Sequence, residues 1–433
     1  MNMIKRLMAL LLAVLMCGTI AFGETSADDV MVTVGTTPVT RSTYEGHLNT
    51  LVNYYANYGY DTTDPSMLAL LQQFALQTSV EYAAMDQMVI DLGLSLTEAE
   101  IAAATANAQN DWAAVIADGL SYYGITEAST EEEIAQTLLA ILAELESRGY
   151  TEESYLAESL MYAGYDKLFA YLTQDVEVSD DEVLAYYNSL VEADKAIYEN
   201  DAAAYEEVQY YNQFYAAYGY TEYITNVYYK PAGYRLVTHI LLEADEALLT
   251  AYSDLQAQYE EQQLTLEEGG EVTATLITEA DLENARLAVL ANVQPKVDEI
   301  NQKMAEGKTF AELIPEYTTD PGMSDAASIA AGYEVHMDSV NWVIPFRDQS
   351  FTVNNIGDVT APVVTDYGVH IIQYVADVPG GAVELTDAMF NEFKTALQSN
   401  AAEEVYYAGL DAWIAAADVV YSDEAKAIMN AAE

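Results

Sequence analysis

Thr365-Asp366-Tyr367-Gly368-Val369-His370-Ile371-Ile372-Gln373-Tyr374-Val375 reads as a turn feeding a β-strand that carries a histidine among apolar neighbours. Strand alternation puts His370, Ile372 and Tyr374 on one face. A second run, Tyr234-Arg235-Leu236-Val237-Thr238-His239-Ile240-Leu241-Leu242, has the same character, with Val237, His239 and Leu241 on one face. The chain has four histidines, and two of them sit inside these runs. A lone histidine in a strand is more often a satisfied core residue than a reactive one. Two of them, if their strands are antiparallel neighbours, bring both imidazoles side by side. Between the two runs lie the turn Asp320-Pro321-Gly322 and the segment Trp342-Val343-Ile344-Pro345-Phe346.

At 433 residues the chain has room for two or three domains. Its 70 acidic residues against 15 basic ones give a formal charge of −55. Such a surface repels nucleic acid and anionic headgroups and draws cationic clients or divalent ions. High acidity can signal disorder, but 52% hydrophobic residues and 35 tyrosines argue for a folded chain. Residues 1–23 read as an export signal: Lys5 and Arg6, an apolar run from Leu7 to Met16, and the small-x-small site Ala21-Phe22-Gly23. That run is too short for a permanent bilayer anchor. Cys17 is the only cysteine. Met16 stands where a lipoprotein site wants a small residue, so lipid anchoring through Cys17 is the lesser reading. The mature chain would then carry no thiol, which excludes disulfides and thiol catalysis.

After the signal, Val30 to Val34 alternates like a strand, Gly35-Thr36-Thr37-Pro38 reads as a turn, and Ser42-x-x-Glu45 as a capping box opening a helix. The pattern stays helical to about residue 205. Thr97-x-x-Glu100, Thr130-x-x-Glu133 and Ser179-x-x-Glu182 are further capping boxes, and Met85, Met88, Val89 and Leu92 recur on one face ahead of a stop at Gly93. Residues 205–230 are dense in tyrosine, read first as packing or a domain junction and second as a peptide-binding surface. Residues 244–263 form an acidic amphipathic helix ended by Gly269-Gly270, and Thr278-x-x-Asp281 opens a long helix through Ala305, stopped by Gly307. Strands, turns and a short helix alternate from Thr309 to Asp377, and Leu385 to Ala417 is helical again. His47 and His336 read as ordinary surface or boundary residues.

With these motifs in hand, the segment resembles a parvulin-type peptidyl-prolyl isomerase domain, and the chain order resembles the PrsA-like and SurA-like exported foldases. The matching residues are Thr238-His239-Ile240-Leu241, Gly307-x-x-Phe310-x-x-Leu313, and Tyr317-Thr318-Thr319-Asp320-Pro321-Gly322. They continue through Pro345-Phe346-x-x-x-x-Phe351, Gly357-Asp358-Val359-x-x-Pro362-Val363 and Thr365-Asp366-Tyr367-Gly368-Val369-His370-Ile371-Ile372. The resemblance implies a catalytic set of His239, Asp320, Thr365 and His370 beneath a proline pocket formed by Trp342 and Phe346. Two departures stand out. Trp342 replaces the family's usual methionine, and Gly332-Tyr333-Glu334-Val335 replaces the customary Gly-Gly-Asp-Leu-Gly, so the family's pocket leucine has no counterpart.

The expected fold class is α+β: a parvulin-like domain, a small and mostly antiparallel sheet with surrounding helices, attached to a mainly α-helical chaperone-type region. The expected division is a signal at 1–23, a helical region at 24–232, the parvulin-like domain at 233–378 with a helical insertion near 243–280, and a helical segment at 379–433. The expected function is isomerisation of X-Pro bonds in secreted or unfolded client proteins, with chaperone activity. The alternatives are a non-catalytic holdase or scaffold with a degenerate parvulin domain, which Trp342 would favour, and an acidic surface or adhesion protein using the fold as a spacer. His239, His370 and Asp320 are ligand-type side chains but lack metal-ligand spacing, and no calcium loop, phosphate loop, zinc motif or Ser/His/Asp elbow is present. No metal and no cofactor is expected, and the expected partners are proline-containing polypeptides.

Overall fold

Strands Arg235–Leu242 and Gly368–Asp377 pair antiparallel, with Val237 opposite Tyr374, His239 opposite Ile372 and Leu241 opposite His370. In a computed structural model of the chain, which describes residues 30–431 apart from 273–274, they form the centre of a four-stranded sheet. Tyr333–Val335 flanks the first of them and Val363–Thr365 the second, both antiparallel. The segment read as a signal, including Cys17, lies outside the described residues.

The two sheet faces explain why the strands are apolar almost throughout. Ile240, Leu242, Val369 and Ile371 point to one side and pack on Val289, Val293, Val297 and Ile300 of helix Glu279–Ala305 and on Phe310, Leu313 and Ile314. Val237 and Ile372 point to the other and pack with Val335 and Phe346. A sheet covered on both faces selects continuous hydrophobic runs, and each fully buried aliphatic side chain contributes about 1.5–3 kcal/mol. A histidine in such a place requires a partner. Gly368 begins the return strand at φ 134°, where a β-carbon would strike the carbonyl of Leu242, so the turn before His370 needs glycine. Between the first strand and helix Glu279–Ala305 lies helix Glu246–Glu267.

By contact density the chain divides into two compact units, Asp180–Phe393 and the remainder on either side of it. In that remainder, Val30–Val34 is the middle strand of a three-stranded antiparallel sheet between Thr37–Thr40 and Val419–Tyr421. Its core includes Met31, Val32, Val34, Leu76, Ala84 and Met88, joined by Leu168, Leu410 and Ala425. The architecture is α+β, mostly helical with small antiparallel sheets, as expected. Two local expectations fail. Only Gly35 and Thr36 make the turn, and Pro38 lies in the strand that follows; that strand is an edge, where proline's missing N–H breaks no ladder. The helix after it starts at Arg41 with Thr40 as its cap, not Ser42, because the strand runs straight into the helix. The boxes at Thr97, Thr130 and Thr278 form as read, each side chain and backbone satisfying the other. Among the described residues, no helix is long and apolar enough to cross a membrane.

Candidate active site

Cross-strand pairing puts His239 and His370 on the same sheet face, two pairs apart along the ladder. Their rings stack 5.0 Å apart at 20°, and their Nδ1 atoms are 2.9 Å from each other. His239 Nε2 lies 2.6 Å from Asp320 Oδ2, and His370 Nε2 lies 2.9 Å from Thr365 Oγ1. An ionised carboxylate can only accept, and a neutral imidazole has one donor and one acceptor. The direction of the whole chain follows. The Thr365 hydroxyl donates to His370 Nε2, His370 Nδ1–H donates to His239 Nδ1, and His239 Nε2–H donates to Asp320. Each ring nitrogen is thereby used, so neither histidine offers a lone pair to a cation.

Burial drives the electrostatics. His239 is 2% exposed and His370 5%. Burial pushes the His239 pKa down against the opposing pull of the Asp320 carboxylate. Burial, helped by neighbouring His239, takes His370 down to about 3. Both imidazoles are therefore neutral at physiological pH. Burial alone would raise the Asp320 pKa, but hydrogen bonds from the Gly322 amide, the Tyr333 hydroxyl and His239 outweigh it and leave the carboxyl below its ordinary value. A fixed negative charge therefore sits at one end of a row of oriented neutral dipoles.

The turn that carries Asp320 is held from both sides. Thr318 Oγ1 accepts from the amides of Leu241 and Asp320, and the Thr319 amide donates to the Leu241 carbonyl. Asp320 itself caps the short turn after it by accepting from the Gly322 amide at 2.9 Å. Thr365 is buried and also accepts from the Tyr367 amide.

Phe346 lies against both imidazoles, 5.2 Å from His239 and 5.1 Å from His370, close to edge-on to each. Trp342 lies 5.5 Å from Phe346 and 4.7 Å from Tyr333, tilted by 36° and 31°. Its indole N–H donates to the Glu334 carbonyl. Phe346 is only 2% exposed, so the aromatic floor is covered. All six expected residues, His239, Asp320, Thr365, His370, Trp342 and Phe346, thus meet at one face of the sheet.

Tyr333 is the residue that sequence reading passed over. Its hydroxyl donates to Asp320 Oδ2 at 2.8 Å, and its ring lies 5.4 Å from His239. A β-carbon at Gly322 would collide with that hydroxyl, so the glycine after Asp320-Pro321 makes room for it. Tyr333 pairs with Val237 across the sheet; alternation would have placed it on the histidine face had the pairing been known. Glu206, also unforeseen, is buried and accepts from the hydroxyls of Tyr234 and Ser339 and the amides of Val340 and Asn341. It thereby holds the loop that leads into Trp342.

Residues 271–377, about a quarter of the chain, match the family described as PPIC-type PPIASE domain. The matched span contains Asp320, Trp342, Phe346, Thr365 and His370, and leaves out His239 beyond helix Glu246–Glu267. Foldase protein PrsA 2 of Listeria monocytogenes is 36% identical over 86 residues, 20% of this chain and 28% of that protein. The counterpart from Listeria innocua is 35% identical over the same length. The match therefore spans just over a quarter of these relatives' own length. Among solved structures, PrsA from Bacillus subtilis covers 75% of this chain and 89% of its own at 16% identity and a TM-score of 0.19. A SurA-like chaperone from Campylobacter jejuni covers 76% and 96% at 15% identity and a TM-score of 0.28. Residues 271–377 thus match a PPIC-type peptidyl-prolyl isomerase domain, and Asp320, Thr365 and His370 of the site fall within the matched span.

Proposed function

We propose that this chain is an exported foldase that speeds cis–trans isomerisation of X-Pro bonds in unfolded or secreted client polypeptides. The observation that carries the proposal is the uninterrupted row Thr365–His370–His239–Asp320 lying against Phe346. Rotation about an X-Pro bond meets a barrier of about 18–20 kcal/mol from amide resonance and takes tens to hundreds of seconds unaided. No bond to carbon or nitrogen need break. A catalyst has only to favour the twisted amide, in which resonance is lost.

The site suits that task. The aromatic surface of Phe346, reached when Trp342 is displaced, accepts the pyrrolidine ring and strips water from the bond. The buried dipole row presents a fixed polar environment that needs no reorganisation as the carbonyl turns. Thr365, His370 and His239 act by orientation, and Asp320 fixes the sign of the local field. Neutral histidines suit this role, since a second proton on the pair would set two N–H donors against each other and break the row. The signal-like leader and the family's exported members support export. Residues 24–232 and 379–433 would supply the chaperone-type surface, and six aromatic side chains from Tyr210 to Tyr223 that are at least 43% exposed fit client capture better than core packing.

The test is a proline-peptide isomerisation assay on the full chain. Catalysis should appear in the wild type, and His370→Ala, His239→Ala and Asp320→Ala should each lower kcat/KM by about 10- to 100-fold with folding retained. A wild type no faster than buffer would leave client holding as the function. Undiminished rates in all three variants would remove the site assignment.

A further inference from the structure

The unit outside Asp180–Phe393 holds a cavity of about 460 Å³ that the isomerase chemistry does not use. Strand Thr37–Thr40 and helices Arg41–Asn57, Pro65–Asp91 and Glu152–Thr173 contribute to its lining. Its volume suits a single side chain or a small ligand. Its chemistry is one-sided. Tyr82 stacks on His47 at 5.3 Å and 25°, and lies 5.8 Å from Tyr165, which meets Tyr162 edge-on at 6.3 Å. Asp86 and Glu158 add two carboxylates, and Asp86 is positioned by the Tyr165 hydroxyl, which donates to it at 2.9 Å.

His47 does not offset that charge. Ser79 Oγ donates to the Ala75 carbonyl at 2.7 Å, so at 2.8 Å from His47 Nδ1 it acts as acceptor and Nδ1 carries the proton. Burial keeps the ring neutral by pushing its pKa down, and Nε2 is then a lone-pair acceptor. Among the described residues, no lysine or arginine lines the cavity. Aromatic faces, carboxylates and a neutral imidazole together repel anions and attract organic cations, since a cation over an aromatic face gains from the ring quadrupole and from the nearby negative charge.

We propose that this cavity binds a guanidinium or ammonium group on a flexible alkyl chain, as found in an arginine or lysine side chain or in a free polyamine-type amine. The site lies in a different unit from the histidine pair, and its occupancy is independent of isomerisation. Charge complementarity at the scale of the whole chain points the same way, because 70 acidic residues against 15 basic ones concentrate cations near the surface.

The experiment titrates the full chain with three probes in ligand-observed NMR and calorimetry: acetyl-Gly-Arg-Gly-amide, its citrulline counterpart, and agmatine. Saturable binding is expected for the arginine peptide or agmatine, with the neutral citrulline peptide at least about fivefold weaker. The better of the two cationic probes identifies the source, polypeptide or free amine. Asp86→Asn keeps an acceptor for Tyr165 and should weaken binding about fivefold, as should Tyr82→Leu, with circular dichroism and X-Pro turnover unchanged. Equal binding of the citrulline peptide, indifference to both variants, or no saturable binding of either cation would overturn the proposal.

Discussion

Trp342 stands where one side chain would set access to the aromatic floor of the proposed site. Parvulin-like pockets resemble one another in placing methionine there, and here an indole lies over Phe346 and leans on Tyr333. A prolyl ring that is to reach Phe346 has to displace it. Breaking such aromatic contacts costs about 1 kcal/mol, so Trp342→Met should raise kcat/KM for proline peptides roughly fivefold. A fall in kcat/KM would instead make the indole a wall of the bound state. The histidines give a second residue-scale expectation. An unfolded histidine takes its proton near 6.5 and folded His370 only near 3, so the unfolded chain binds more protons between these values. The stability from keeping His370 neutral is complete above about pH 6.5 and is lost as the pH falls toward 3. Asp320, whose pKa is lowered, adds loss in the same acid direction. His370→Gln keeps a donor and an acceptor but does not titrate. Thermal unfolding from pH 7 to 5 should therefore shift less in that variant than in the wild type; equal shifts would mean the pair does not control acid stability.

At the scale of elements, the aromatic wall depends on a buried carboxylate far from it in sequence. Glu206 sits on helix Ala202–Tyr218 and receives four donors, three of them from Ser339, Val340 and Asn341. The charge needs no cation here, because hydrogen bonds satisfy it. Glu206→Ala would leave two buried hydroxyls and two amides without acceptors. We expect a loss of about 2–4 kcal/mol in urea denaturation and a rise in KM as the loop before Trp342 loosens. A loss in stability with KM unchanged would show that the loop is held by the sheet alone.

For the whole molecule, the proposed function separates capture of a client from rotation of its prolyl bonds. On that proposal the first would rest on exposed aromatic surface such as Tyr210, Tyr218 and Tyr223, and the second on the buried row. His370→Ala should therefore abolish most X-Pro turnover yet suppress aggregation of an unfolded client as well as the wild type does, measured by light scattering. Parallel loss of both would tie holding to the isomerase site itself. A formal charge of −55 adds that client capture should weaken for acidic clients and as salt is raised for basic ones.

The amino-acid sequence by itself determined the two histidine strands, the Asp320-Pro321-Gly322 turn, the caps at Thr97, Thr130 and Thr278, and the α+β class. These are written in short-range signals: period-two alternation, a box of four residues, a proline beside a glycine. The tertiary structure alone decided that Tyr333 holds Asp320, that Glu206 anchors the loop before Trp342, that the indole covers Phe346, and that Thr40 takes the cap expected of Ser42. Each of these turns on which polar or aromatic group another element brings within reach. Glu206 and Ser339 lie 133 positions apart, and a buried donor pairs with whatever acceptor the packing presents, which no local pattern encodes.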